Sequence, residues 1–269
     1  MSEGKMLKLE QKEHVAYVTL NRPEKRNTMT LAFFGEMQEL FKKLDRDESV
    51  RVVVIKGAGK CFTGGLDLAD AATMFVGEAG AARREELRLS IKELQQGMNW
   101  VEKCRKPVIA AVHGFCIGGG IDLLAASDIR IAAKDAVFSI RETRVAIIAD
   151  VGTLQRLPHI IGHGWTRELA LTGRDFTAEE ALNMGLITRV CGDKEALFEE
   201  ADKLADQIAG LSPLAVQGTK DVINYSRDNG IYPGLDYVAQ KNASALISED
   251  VIEAAAAFME KRPPVFKGN

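Results

Sequence analysis

Between Pro107 and Ser127 the chain reads Val-Ile-Ala-Ala-Val-His-Gly-Phe-Cys-Ile-Gly-Gly-Gly-Ile-Asp-Leu-Leu-Ala-Ala, and this stretch limits the possible folds more than any other. It is apolar for nearly the length of a membrane span. Yet it carries His113, Asp122 and four glycines, three of them consecutive. A buried strand over Val108–Val112, a glycine turn and a short buried helix explain it better, so a soluble chain with no membrane partner is expected. Adjacent glycines let the backbone turn without Cβ clashes and approach a ligand closely. Free N–H groups at the start of the following helix favour a negatively charged oxygen. Asp122 then falls inside an apolar helix, where a charge is costly unless paired or functional.

Strands and helices alternate around that element. His14–Leu20 and Arg51–Lys56 read as strands, with Phe34, Met37, Phe41 and Leu44 at helical spacing between them. Leu87, Ile91, Leu94, Met98 and Val101 mark a longer helix that ends before Pro107. Asp128–Ala132 and Ala136–Ser139 are further short strand candidates. From Gly192 the pattern becomes helical: Leu197, Ala201, Leu204 and Ile208 form a stripe. Ser212-Pro213 opens one helix and Ser248 another, the latter with Val251, Ala255 and Phe258 as its apolar residues. The expectation is an α/β layered core over residues 1–192 and a helical region over 193–269.

Charge excludes some functions. Lysine plus arginine (35) against aspartate plus glutamate (38) leaves −3, which argues against nucleic acid as the main partner. Four cysteines without a CxxC pair suit a reducing, cytoplasmic setting. His159 and His163 lie at i, i+4 without an HExxH motif, so no metal site is expected. The N-terminus has neither a signal-peptide nor a transit pattern, and the C-terminus lacks a peroxisomal Ser-Lys-Leu.

Three features carry possible chemistry. The first is Gly114–Gly120, which lacks the spacing of a Walker loop or a dinucleotide fingerprint. The second is Cys61-Phe-Thr-Gly64-Gly65-Leu66-Asp67, another glycine turn after a strand. Its backbone donors, joined to those of the first turn, would make an oxyanion hole, and Asp67 would cap a following helix. The third is a set of acids, Asp122, Glu142 and Asp150. Each has a plain alternative: an ion pair for Asp122, a surface charge for Glu142, and a cap of the Thr153–Ile161 helix for Asp150. Arg141 and Arg144 are the candidate ion-pair partners.

Asn21-Arg-Pro-Glu-Lys-Arg-Asn27, Cys61–Asp67 and the run from Pro107 to Val190 together resemble the crotonase (enoyl-CoA hydratase/isomerase) superfamily. That resemblance implies a spiral of ββα units with a helical C-terminal trimerisation region. It also implies a homotrimer or homohexamer, an acyl-CoA thioester substrate from fatty acid β-oxidation, and no cofactor beyond the coenzyme A of the substrate. It places the oxyanion-hole N–H groups on Leu66 and Gly119. Arg22, Lys25, Arg26, Gly64, Gly65, Asp67 and Gly118 fall along the substrate path, and Phe266 and Lys267 reach a neighbouring subunit's CoA. The Ala71–Arg84 stretch would form a mobile rim over the acyl chain.

Asp122 and Glu142 occupy the positions of the two hydratase glutamates. Asp122 shortens the first of them, and Ala149-Asp150 replaces the usual Pro-Gly. Ala146 stands where glycine is common. The three acids, with Cys116-Ile-Gly-Gly-Gly and Ser212-Pro-Leu-Ala-Val-Gln-Gly-Thr-Lys220, are similar to the dienoyl-CoA isomerase branch of the family. The implied reaction turns a 3,5-dienoyl thioester into a 2,4-dienoyl thioester. Glu142 would take the C2 proton, Asp150 would protonate C6, and Asp122 would tune and orient Glu142. Two alternatives stay open: an enoyl-CoA hydratase or Δ3-Δ2 isomerase with Asp150 a bystander, and a non-catalytic acyl-CoA- or RNA-binding relative.

Overall fold

Strands β1 (Leu7–Lys12) and β2 (Val15–Leu20) form an antiparallel hairpin that turns at Glu13, whose φ is +50°. β3 (Val52–Gly57), β4 (Val108–Val112), β6 (Ile129–Ala133) and β9 (Arg189–Cys191) extend it in parallel, in the order β1-β2-β3-β4-β6-β9. A second sheet contains β5 (Phe115–Ile117), β7 (Val137–Ser139) and β8 (Asp175–Thr177). This computed structural model describes residues 6–77 and 80–269.

The helices are α1 (Leu31–Arg46), α2 (Leu68–Phe75), α3 (Ala81–Lys103), α4 (Gly119–Ala126), α5 (Thr153–Thr172) and α6 (Ala178–Asn183). They are followed by α7 (Lys194–Ala209), α8 (Pro213–Asn229), α9 (Ile231–Ala245) and α10 (Glu249–Glu260). A repeating order results: a strand in the large sheet, a short strand or bridge in the second layer, then a helix. β4, β5 and α4 form one such unit. β3, the Thr63 bridge to Cys116, and α2 form another. This is the expected ββα spiral, and it accounts for the apolar run from Val108 to Ala126. Among the described residues no helix is long and apolar enough to cross a membrane.

Period-two alternation explains why the central strands read as unbroken apolar runs. Val53, Ile55, Val108, Ala110 and Val112 face the main core with Phe34, Met37, Phe41, Met98 and Val101 of α1 and α3. Val52, Val54, Ile109, Ala111 and Ile131 face the other way, against Leu197, Ala201, Ala205 and Ala209. The first helix after Gly192 therefore covers the sheet and completes the layered core. α1 and α3 approach closely because Gly97 lies over the Phe34 backbone, where a Cβ would come within 2.7 Å of its carbonyl oxygen.

The helices beyond α7 are different. Ile223, Ile231, Tyr232, Leu235, Leu246, Ile247, Ile252, Phe258 and Met259 are all more than half exposed. Single exposed apolar residues are ordinary; so many on three successive helices are not. Ser248 caps α10 as expected, accepting from Val251 N–H. Ser212 precedes α8 and its Pro213, but its hydroxyl donates to Asp250 instead of capping. His159 and His163 lie on α5 on either side of a break at Gly162, where φ is +75°.

Candidate active site

Two glycine turns meet where the second sheet begins. Thr63 N–H donates to Phe115 O and Ile117 N–H to Thr63 O, which sets the Cys61–Asp67 and Gly114–Gly120 loops side by side. Their approach leaves no room for side chains at two points. A Cβ on Gly65 (φ +88°) would lie 2.7 Å from Ile117 O, and one on Gly120 would lie 2.6 Å from the Thr63 methyl. Gly118, with φ +52° and ψ −117°, adopts a conformation that other residues avoid.

This pairing frees two N–H groups. Residues 65 and 67 bond to Met29 in a parallel bridge, so the polar groups of Leu66 itself point away from Met29. Gly119 is the first residue of α4, whose opening N–H groups have no intrahelical partner. Among the described residues neither the Leu66 nor the Gly119 N–H has a protein acceptor.

The acids gather at the same place. Gly118 N–H donates to Ser139 O, joining the glycine turn to the segment that carries Glu142. Glu142 opens a 3₁₀ turn and sits over Gly118, where a Cβ would be 3.2 Å from its Oε1. Its Oε2 is buried without a hydrogen-bond partner. A surface charge is thereby excluded for Glu142. The turn ends at Ala146 with φ +60°, a conformation that favours glycine.

Asp122 is 1% exposed, and its Oδ1 accepts from Thr153 N–H at 2.6 Å. It therefore caps α5 from a neighbouring helix, a task that the sequence offered to Asp150. The residue directly before α5 is Gly152. Arg141 and Arg144 do not pair with the acids: Arg141 bonds Asp175 at 2.6 Å, and Arg144 donates to Thr172 O. Among the described residues no cation lies within salt-bridge distance of Asp122, Glu142 or Asp150.

Their protonation follows from this isolation. Burial, then the neighbouring Asp122 and Asp150 charges, push Glu142 up to about 7. Burial pushes Asp122 up to about 6, against the Thr153 hydrogen bond that favours its anion, and Asp150 adds to the rise. Asp150 is raised as well, by burial. Glu142 feels both other acids and Asp122 feels Asp150, so the three titrate as a coupled set.

The remaining candidates lie around this centre. Asp67 caps α2, accepting from Ala69 and Asp70 N–H, and it binds Arg22 at 2.6 Å. The Arg22 guanidinium beside it holds its carboxyl below the usual range. Lys25 and Arg26 are exposed on the adjoining turn, with Arg26 over the Phe115 ring at 5.9 Å. A Cβ on Gly64 would meet the Thr28 methyl at 3.3 Å. Of the Ala71–Arg84 stretch, α2 and the start of α3 are helical, and residues 78 and 79 lie outside the described residues.

Phe266 and Lys267 make no hydrogen bond to these acids among the described residues. The tail folds against α10, where Asp250 accepts from Lys267 N–H at 2.8 Å and Phe266 O accepts from Arg51. Sequence reasoning missed Gln95, which donates from Nε2 to Asp150 O at 2.7 Å across a separation of 55 residues. A polar residue on an otherwise amphipathic helix gave no signal for it.

A spiral of ββα units in which two facing glycine turns adjoin three acids with no cation partner among the described residues has the architecture of a crotonase-type enzyme. The chain matches the enoyl-CoA hydratase/isomerase family over residues 10–269 and belongs to that family. Among curated relatives, the mitochondrial Δ3,5-Δ2,4-dienoyl-CoA isomerase of Mus musculus is 48% identical over 254 residues, covering 93% of this chain and 78% of the relative. The peroxisomal Δ3,5-Δ2,4-dienoyl-CoA isomerase of Arabidopsis thaliana is 46% identical, with 94% and 92% covered. Among solved structures, an enoyl-CoA hydratase from Bacillus anthracis superposes with a TM-score of 0.90 at 34% identity, covering 98% of this chain and 100% of that one.

Proposed function

We propose that this protein is a Δ3,5-Δ2,4-dienoyl-CoA isomerase. The observation that carries the reading is the Glu142 carboxyl: buried over the glycine turn, with one oxygen unpartnered, and in the field of two further acids instead of a cation. A hydratase pair needs two acids; a proton moved from C2 to C6 has use for a third. The identity to isomerases of two organisms supports the same reading.

The thioester carbonyl oxygen binds between the Leu66 and Gly119 N–H groups. Glu142, as carboxylate, takes a proton from C2, and the C–H electrons form a dienolate whose charge gathers on that oxygen. Asp150, as carboxylic acid, gives its proton to C6. The electron pair of the C5–C6 double bond closes on that proton while the oxyanion electrons restore the carbonyl, and the remaining pairs shift to give double bonds at C2 and C4. Glu142 then holds the proton taken from C2 while Asp150 lacks the one it gave to C6, and exchange with solvent resets the pair.

In the free site burial favours the protonated form of both carboxyls, with Glu142 pushed up to about 7 and Asp150 raised as well. The working form needs the proton on Asp150 and not on Glu142. An apolar dienoyl tail covering Asp150 removes water from that carboxylate and shifts the proton toward it. Asp122 holds the start of α5 through Thr153 and weakens the Glu142 carboxylic acid least when its own proton is present. Lys25 and Arg26 offer exposed charge for the CoA phosphates.

Ultraviolet spectra of a pure 3,5-dienoyl-CoA incubated with the protein test this activity. The expected result is the new band of a diene conjugated with its thioester. Hydration would give no such band, and an unchanged spectrum would indicate binding alone.

The exposed apolar helices support assembly into a trimer or a dimer of trimers, in which Lys267 faces a neighbour's CoA. Light scattering at micromolar concentration is expected to give at least three times the monomer mass. A stable monomer would remove that assignment for Phe266 and Lys267.

A further inference from the structure

The Asp150 carboxyl makes no hydrogen bond to any other described residue and is bonded only by its own backbone N–H, so its direction is set through its backbone. That backbone is fastened to one face of α3, which is remote from it in sequence. Gln95 Nε2 donates to Asp150 O at 2.7 Å. One and two turns further along the helix, Asn99 and Glu102 receive Arg156. Arg156 Nη2 donates to Asn99 Oδ1 at 2.8 Å and to Glu102 Oε2 at 3.0 Å, and Nε donates to Glu102 Oε1 at 3.1 Å. The Arg156 and Glu102 side chains are only 11% and 17% exposed, and Arg227 binds the same carboxylate at 2.6 Å.

Gly152 explains how Arg156 reaches so far. Its φ of +132° belongs to glycine, and the space a Cβ would take is filled by the Arg156 guanidinium. The Ala149–Gly152 turn is thus held at its carbonyl by Gln95 and covered at its glycine by an arginine locked to the same helix. Asp122 fixes the next residue, Thr153, from the other side.

We propose that Gln95 is a positioning residue for the distal proton transfer, acting with Arg156 to aim Asp150 at C6. This rests on the reading that Asp150 supplies the C6 proton. Gln95 touches neither Glu142 nor the Leu66 and Gly119 loops through any hydrogen bond, so it reaches C2 chemistry only through the charge of Asp150. Loss of its bond frees the turn, and a misplacement on the order of 1 Å costs about 10²-fold in a step that needs close approach.

The test compares Gln95→Leu and Gln95→Met with the wild-type protein, using a 3,5-dienoyl-CoA in heavy water. Formation of 2,4-dienoyl product is expected to fall about 10- to 100-fold. C2 hydrogen–deuterium exchange and the KM should stay within a fewfold of wild type, with an unchanged thermal transition. A general loss of structure would lower exchange and product together, and that outcome overturns the proposal. So does normal product formation by both variants. Failure of the wild type to form any 2,4-dienoyl product overturns the activity reading itself, independently of the variants.

Discussion

Glu142→Gln is expected to slow isomerisation about 10²- to 10⁴-fold, the range of a lost general base, while acyl-CoA binding stays largely intact. The same substitution should change the pH dependence of stability. Glu142 is raised from 4.5 to about 7 by burial and by Asp122 and Asp150. Below about pH 4.5 the group is protonated both folded and unfolded, and the wild type bears no penalty from it. As pH rises through 7 the folded protein must either hold a buried charge or keep a proton that the unfolded chain has released. Stability is lost over that window, by on the order of 1–3 kcal/mol for shifts of this size. Glutamine removes the titration, so the difference in thermal transition should move in favour of the variant between pH 4.5 and 8. A flat difference across that range would mean that Glu142 is not held in a charge-disfavouring site. Near-normal turnover would remove it from the mechanism.

Asp150→Gly should separate the two halves of the reaction. It removes the third carboxyl and leaves Glu142 and the two backbone donors in place. Product formation is expected to collapse by at least about 10²-fold, the scale of a lost general acid. C2 exchange in heavy water should continue, provided that Glu142 trades its proton with solvent before the dienolate collapses. If exchange and product fall together, Asp150 takes the C2 proton itself or shapes the site. If neither changes, the hydratase reading moves ahead.

Much of the scaffold was legible because it rests on local pattern. The apolar runs in Val52–Gly57 and Val108–Val112, the α1 spacing and the Ser248 cap all follow from neighbours in sequence. β5, β8 and β9 were not recognised as strands: each has only three residues, and unlike the equally short β7, which ends the apolar Ala136–Ser139 run, none stands out from its flanks. β1 escaped because it is an edge strand exposed over all but its first residue, and so reads as polar tail. At the site, Asp122, Glu142 and Asp150 stood out as acids in apolar or glycine-rich surroundings, and the structure brings them into one electrostatic group. Which of them caps α5 was not legible. Asp122 lies 31 residues before Thr153, and only the packing of α4 against α5 brings it there. The links from Gln95 to Asp150 and from Arg156 to Glu102 are equally non-local, at 55 and 54 residues.

The central claim is that separate carboxyl groups serve C2 and C6. A single turnover of protium-labelled 3,5-dienoyl-CoA by wild-type protein equilibrated in heavy water tests it most directly, with the position of deuterium in the product read by nuclear magnetic resonance. Asp150 enters that turnover already deuterated, so the 2,4-dienoyl product should carry deuterium at C6 from the first turnover. Delivery of the original C2 protium to C6 would show one group shuttling the proton, and would contradict the assignment of Glu142 and Asp150 to opposite ends.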